Sequence, residues 1–61
     1  KATNYFLKSC NMDSGSGCAS LGVQYEYGIG AKRSKSKALK YYRKACDLEL
    51  QKGCDNYSNL Q

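Results

Sequence analysis

Two cysteine pairs at one spacing constrain this chain more than any other feature. Cys10 and Cys18 lie eight positions apart, Cys46 and Cys54 lie eight apart, and the second pair follows the first by 36 positions. Superposing residues 1–25 on residues 37–61 pairs Lys1 with Lys37, Ala2 with Ala38, Tyr5 with Tyr41, Lys8 with Lys44, and Gly17 with Gly53. Phe6/Tyr42, Met12/Leu48 and Asp13/Glu49 are conservative pairs in the same register. A period of this length marks a repeat array, most often a helical solenoid, whose units bury their apolar faces only against their neighbours. Such arrays serve mainly as binding scaffolds.

The repeating unit is helical. Ala2, Tyr5, Phe6 and Ser9 follow i, i+3, i+4, i+7 spacing, and so do Cys18, Leu21, Gly22 and Tyr25. Ala38, Tyr41, Tyr42 and Ala45 repeat it, and Cys54, Tyr57 and Ser58 begin it again. No strand-like alternation competes, and no proline interrupts the pattern. The pattern predicts four helices over residues 1–12, 16–27, 35–48 and 52–60. Asp13-Ser14-Gly15-Ser16-Gly17 supplies cap and turn residues after the first, with Ser14 or Ser16 as the cap of the second. Gly28 and Gly30 stop the second helix, since glycine takes the left-handed conformation without strain. Ser34 or Ser36 caps the third, and Gln51-Lys52-Gly53 is expected to form the second tight turn. Gly22 falls inside a helix, where glycine costs about 1 kcal/mol relative to alanine. Close approach of a neighbouring helix is its expected purpose.

Sixty-one residues make one small domain at most, and a chain this short needs staples, a metal or a partner to be stable. Histidine is absent, and seven residues separate each cysteine pair, a spacing unlike the usual zinc hairpin. No metal and no cofactor are expected. Two disulfides fit better and imply an oxidising compartment, periplasmic or extracellular. Composition leaves three connectivities open. Helix placement favours one of them, because Cys10 ends a helix that Cys18 follows across a short turn, and Cys46 and Cys54 repeat the arrangement. An antiparallel hairpin brings such ends within disulfide reach. A redox-active role is disfavoured by the long spacing.

The net charge is +5, concentrated in Lys32, Arg33, Lys35, Lys37, Lys40, Arg43 and Lys44. No nucleic-acid motif accompanies this charge, so nucleic acid is not an expected partner; a solvated helix face accounts for it. No apolar run is long enough for a membrane span, and Lys1 opens directly into helical pattern without a leader. An array needs several stacked units, so the chain is read as one complete repeat, 16–48, flanked by half repeats at 1–12 and 52–60, from a longer protein. Its open ends imply self-association, with Tyr5, Phe6 and Leu7 as the adhesive residues.

These residues resemble the Sel1-like repeat family, and more narrowly its Helicobacter cysteine-rich members. Gly17-Cys18-Ala19-Ser20-Leu21-Gly22-Val23-Gln24-Tyr25-Glu26-Tyr27-Gly28 is similar to the first helix of such a repeat. Lys37-Ala38-Leu39-Lys40-Tyr41-Tyr42-Arg43-Lys44-Ala45-Cys46-Asp47-Leu48 is similar to the second, and Gly28-Ile29-Gly30 to the loop between them. The resemblance implies an all-α fold, an α/α solenoid of tetratricopeptide-like hairpins with one disulfide per repeat. It implies export from a bacterium, as a secreted or periplasmic protein, and binding of proteins or peptides. In solenoids of this type the first helix of each repeat lines the ligand groove. The corresponding positions here are Ala19, Val23 and Glu26, then Asp55, Asn56 and Asn59. Two departures stand out: the basic loop Ala31-Lys32-Arg33-Ser34-Lys35, and Tyr57-Ser58 where Leu-Gly is expected.

The family has also been associated with penicillin binding and β-lactamase activity, which makes a hydrolase the alternative reading. Ser34-Lys35-Ser36-Lys37 matches S-x-x-K, and Tyr57-Ser58-Asn59 resembles a second element of such enzymes, but K-T-G is absent. In a lysine- and serine-rich chain this match is cheap, and a helix cap is the simpler role for Ser34. The acidic residues form no catalytic pair, so no catalytic residue is assigned.

Overall fold

The computed structural model describes residues 2–61, with side chains from Asn4 onward. Lys1, the start of the first expected helix, lies outside the described residues. Four helices follow one another: α1 (Ala2–Asn11), α2 (Gly15–Tyr27), α3 (Lys35–Asp47) and α4 (Gln51–Leu60). Each boundary falls within one residue of that expected, apart from the N-terminal residue not described. No strand occurs among the described residues. The helices stack in chain order, α1 on α2, α2 on α3 and α3 on α4, with a smaller direct contact between α2 and α4. This succession of stacked helix hairpins is that of an α/α solenoid.

The turns are built twice from one design. After α1, the Asp13 amide donates to the Cys10 carbonyl at 3.0 Å and the Ser14 amide to the Ser9 carbonyl at 3.1 Å. After α3, Glu49 donates to Cys46 at 2.9 Å and Leu50 to Ala45 at 3.1 Å. This pair of bonds is the Schellman closure of a helix C-terminus. It places Asp13 (φ 63°) and Glu49 (φ 66°) in the left-handed region, one repeat apart, where glycine is usual. Ser14 then caps α2, its Oγ accepting from the Gly17 amide at 3.2 Å. Ser34 caps α3 by accepting from the Lys37 amide at 3.3 Å. Between α2 and α3, Gly28 closes the helix at φ 69°.

Gln51-Lys52-Gly53 is not a turn. The turn is Leu48–Leu50, and Gln51–Gly53 form the first coil of α4. Gly53 is buried there because α4 lies against α3: an added Cβ would stand 2.5 Å from the Ala45 Cβ and 2.8 Å from the Cys46 amide nitrogen. Gly17 does the same one repeat earlier, where a Cβ would meet the Ser9 Cβ at 2.6 Å. Local chemistry marks both as turn glycines, but interhelical distance is what requires them. Gly22 has the expected purpose. Its missing Cβ admits the Tyr42 ring, which would otherwise be 2.6 Å away.

Both bridges form, Cys10–Cys18 and Cys46–Cys54, each with a Cα–Cα separation of 4.5 Å, and no cysteine is left free. The core around them is small. Cys10, Cys18, Ala19, Leu21 and Ala45 form its centre, with Phe6, Leu7, Tyr25, Tyr41, Leu48 and Leu50 packed on its margin.

Candidate ligand-binding face

α2 and α4 are equivalent helices, so residues 36 positions apart occupy equivalent places on them. On α2, Ser16, Ser20, Val23 and Tyr27 follow one outward stripe at i, i+4, i+7, i+11. Ser16 and Tyr27 are exposed, and Ser20 and Val23 half-buried. On α4 the equivalents of Ser16, Ser20 and Val23 are Lys52, Asn56 and Asn59. Asp55 and Asn59 are exposed and Asn56 half-buried. The Asp55 Oδ1 accepts from Gln51 Nε2 at 2.9 Å, which fixes its carboxylate one turn from Asn59.

Two groove positions expected from the sequence have internal partners. Ala19 is only 9% exposed and belongs to the core centre, so it forms floor. Glu26 is half-buried and accepts a 2.5 Å hydrogen bond from the Tyr42 hydroxyl. Tyr42 is fully buried, and burial first, then the Glu26 carboxylate, pushes its phenol well above the ordinary range. A carboxylate so engaged holds α2 to α3 and offers only its remaining oxygen to a ligand.

A hollow of about 150 Å³ opens between α1 and the N-terminal half of α2, walled by Tyr5, Phe6, Ser9, Ser16 and Ser20. Sequence reasoning missed it. Ser16 and Ser20 are neutral and read as cap and surface residues, and only the helix pairing sets them opposite the Tyr5 and Phe6 rings. Those rings meet edge-on with centroids 5.6 Å apart. Tyr5 is 67% exposed, while Phe6 and Leu7 pack on the core margin. The exposed surface of α1 is therefore less apolar than its sequence suggests.

Ser34 and Lys37 do not form a nucleophile and its base. The Ser34 Oγ holds the Lys37 backbone amide, and the Lys37 ammonium stands over the Tyr25 ring, 5.3 Å from its centroid. That ring stacks on Tyr41 at 5.6 Å and 13°, and Lys40 stands over Tyr41 at 5.7 Å. The Gln24 Oε1 is buried without a hydrogen-bond partner among the described residues. No described helix is long and apolar enough to cross a membrane.

Stacked helix hairpins, a 36-residue register and a bridge at each inter-repeat turn define a disulfide-stapled α/α repeat protein. The chain belongs to the Sel1 repeat family, whose profile matches residues 15–50. Over 37 residues, 61% of this chain, it is 46% identical to a Helicobacter pylori protein named "Putative beta-lactamase HcpD". Over 28 residues, 46% of the chain, it is 57% identical to an uncharacterized protein of Haemophilus influenzae. The matched stretches span 12% of the first relative and 54% of the second. No solved structure matches the chain.

Proposed function

We propose that this chain is a protein- or peptide-binding module of an exported bacterial Sel1 repeat protein. Its membership of a helical-repeat family carries the reading, because stacked repeats build an extended face and little else. Two bridges suit a scaffold that works in an oxidising compartment, periplasmic or secreted, and the resemblance to HcpD agrees with an extracytoplasmic setting. The ligand face is the exposed side of α2 and α4. Val23 supplies an apolar contact, Asp55 a fixed charge, and Asn56 and Asn59 supply amides that both donate and accept to a peptide backbone. Ala19 floors this face and Glu26 edges it.

Selection of displayed peptides on the oxidised chain tests the proposal. A selected peptide should lose about tenfold or more in affinity, some 1.4 kcal/mol, on Val23→Glu or Asn59→Ala. Unchanged affinity in both variants removes the α2–α4 face from consideration.

The name of HcpD favours one second reading, hydrolysis of a β-lactam. The chain covers too little of that relative to inherit its activity, and Ser34 and Lys37 are engaged elsewhere. Incubation of pure protein with a chromogenic β-lactam decides the matter. Turnover that Ser34→Ala abolishes would replace the binding proposal.

A further inference from the structure

Seven of the ten cations lie in residues 32–44, a stretch with no acidic residue. Six of the seven are exposed and Lys44 is half-buried. None pairs with a carboxylate among the described residues. On α3, Ala38, Tyr42 and Ala45 face the core. Lys37, Lys40 and Lys44 recur at i, i+3, i+7 along the flank of α3 beside Tyr25 and Tyr41, with Arg43 next to Lys40 and Lys44, a stripe about 10 Å long. Lys37 and Lys40 are held over the stacked Tyr25 and Tyr41 rings, so less side-chain freedom remains to be lost on binding.

We infer that this flank of α3 docks an acidic helical segment of a partner protein, on a surface separate from the α2–α4 ligand face. Carboxylates at i, i+3 or i+4, and i+7 of a partner helix reproduce the cation spacing one for one. An anionic membrane fits less well, because the apolar surface beside these cations, the Tyr25–Tyr41 stack, is already covered by Lys37 and Lys40. Single-stranded nucleic acid also fits less well, since the tyrosine faces are occupied by each other and by the lysines.

The test uses the oxidised chain and a fluorescein-labelled, alanine-based 15-residue peptide with glutamates along one helical stripe, read by anisotropy. A peptide of the same composition with glutamates spread around the helix is the comparison. The striped peptide should bind more tightly. Lys37→Glu with Lys40→Glu should weaken it about tenfold, and Lys8→Glu with Lys52→Glu, an equal change of charge elsewhere, by about twofold at most. Lys40→Gln with Lys44→Gln, which reverses no charge and leaves the Lys37 contact in place, should weaken it as well, and unchanged binding there would overturn the inference. Val23→Glu should leave it unchanged, so a failure here leaves the α2–α4 reading standing. Equal losses in both charge-reversed proteins, or no binding of the striped peptide, would overturn the inference. Tighter binding to phosphatidylglycerol vesicles or to an oligonucleotide would overturn it as well.

Discussion

At the scale of single residues, Tyr42 joins the most functions in one side chain. Its ring fills the notch left by Gly22, and its hydroxyl ties α3 to Glu26 of α2. Its raised phenol pKa couples it to pH. The unfolded chain releases this proton near the ordinary value of 10.0, while the folded chain retains it. The stabilisation is therefore complete below pH 10 and declines as pH rises above it. Tyr42→Phe should flatten this alkaline decline and cost about 1–2 kcal/mol at neutral pH, by leaving Glu26 without its donor. Denaturant titrations of both proteins at pH 7, 9 and 11 check the two effects. Glu49 gives a second expectation at this scale. It sits at φ 66°, where a side chain costs about 1–2 kcal/mol relative to glycine. Glycine loses more entropy on folding, about 0.5–1 kcal/mol, so Glu49→Gly should raise the thermal midpoint slightly. Glu49→Val should lower it, since a β-branched residue tolerates that region least.

At the scale of elements, helix limits and cap identities were legible because they depend on neighbours in sequence. Ser14 and Ser34 sit at their caps, and the cysteines at the helix ends that their spacing implies. Gly17 and Gly53 were legible as glycines but not as contact points, because what they admit comes from another helix. The left-handed Asp13 and Glu49 left no mark, since an acidic residue after a helix reads as solvated turn. The serine-lined hollow was hidden for the same reason, being a product of how α1 meets α2. Gly53→Ala should show the contact directly. The gain in helix propensity is about 1 kcal/mol, but the new methyl meets the Ala45 methyl and the Cys46 backbone, and overpacking of this kind costs about 1–3 kcal/mol. Backbone beside a bridged cysteine has little freedom to retreat, so the net effect should be a loss of stability. Thermal melts of the oxidised proteins measure it, and a higher midpoint would contradict the close-approach reading.

For the whole molecule, the small core leaves stability dependent on the bridges. Each bridge closes a short loop, and on the chain-entropy model restrains the unfolded chain by roughly 2–3 kcal/mol. Two such terms are comparable with the entire stability of a small domain. Reduction should therefore abolish most helical circular dichroism at 25 °C, and an unchanged melt would mean that packing alone suffices. The family and the fold class were legible at this scale because the 36-residue period survives in the sequence. The proposed ligand face could be read only as positions on a helix, since the burial of Ala19 and the internal bond of Glu26 appear only once α3 is in place.

The bridges and the repeat are out of phase. The matched repeat, residues 15–50, encloses α2 and α3, yet the covalent links join α1 to α2 and α3 to α4. Pulled from its ends, the chain carries tension straight across each cystine, and the turns at 11–17 and 47–53 stay slack. The load then falls on the α2–α3 contact, held by Gly22 against Tyr42, by the Tyr42–Glu26 bond and by the tyrosine stack. Between the bridges, extension comes from the 28 steps that separate Cys18 from Cys46, on the order of 95 Å of contour. Under mechanical load this protein is a chain of two riveted links joined by one pliable knuckle, and the knuckle lies within the repeat itself.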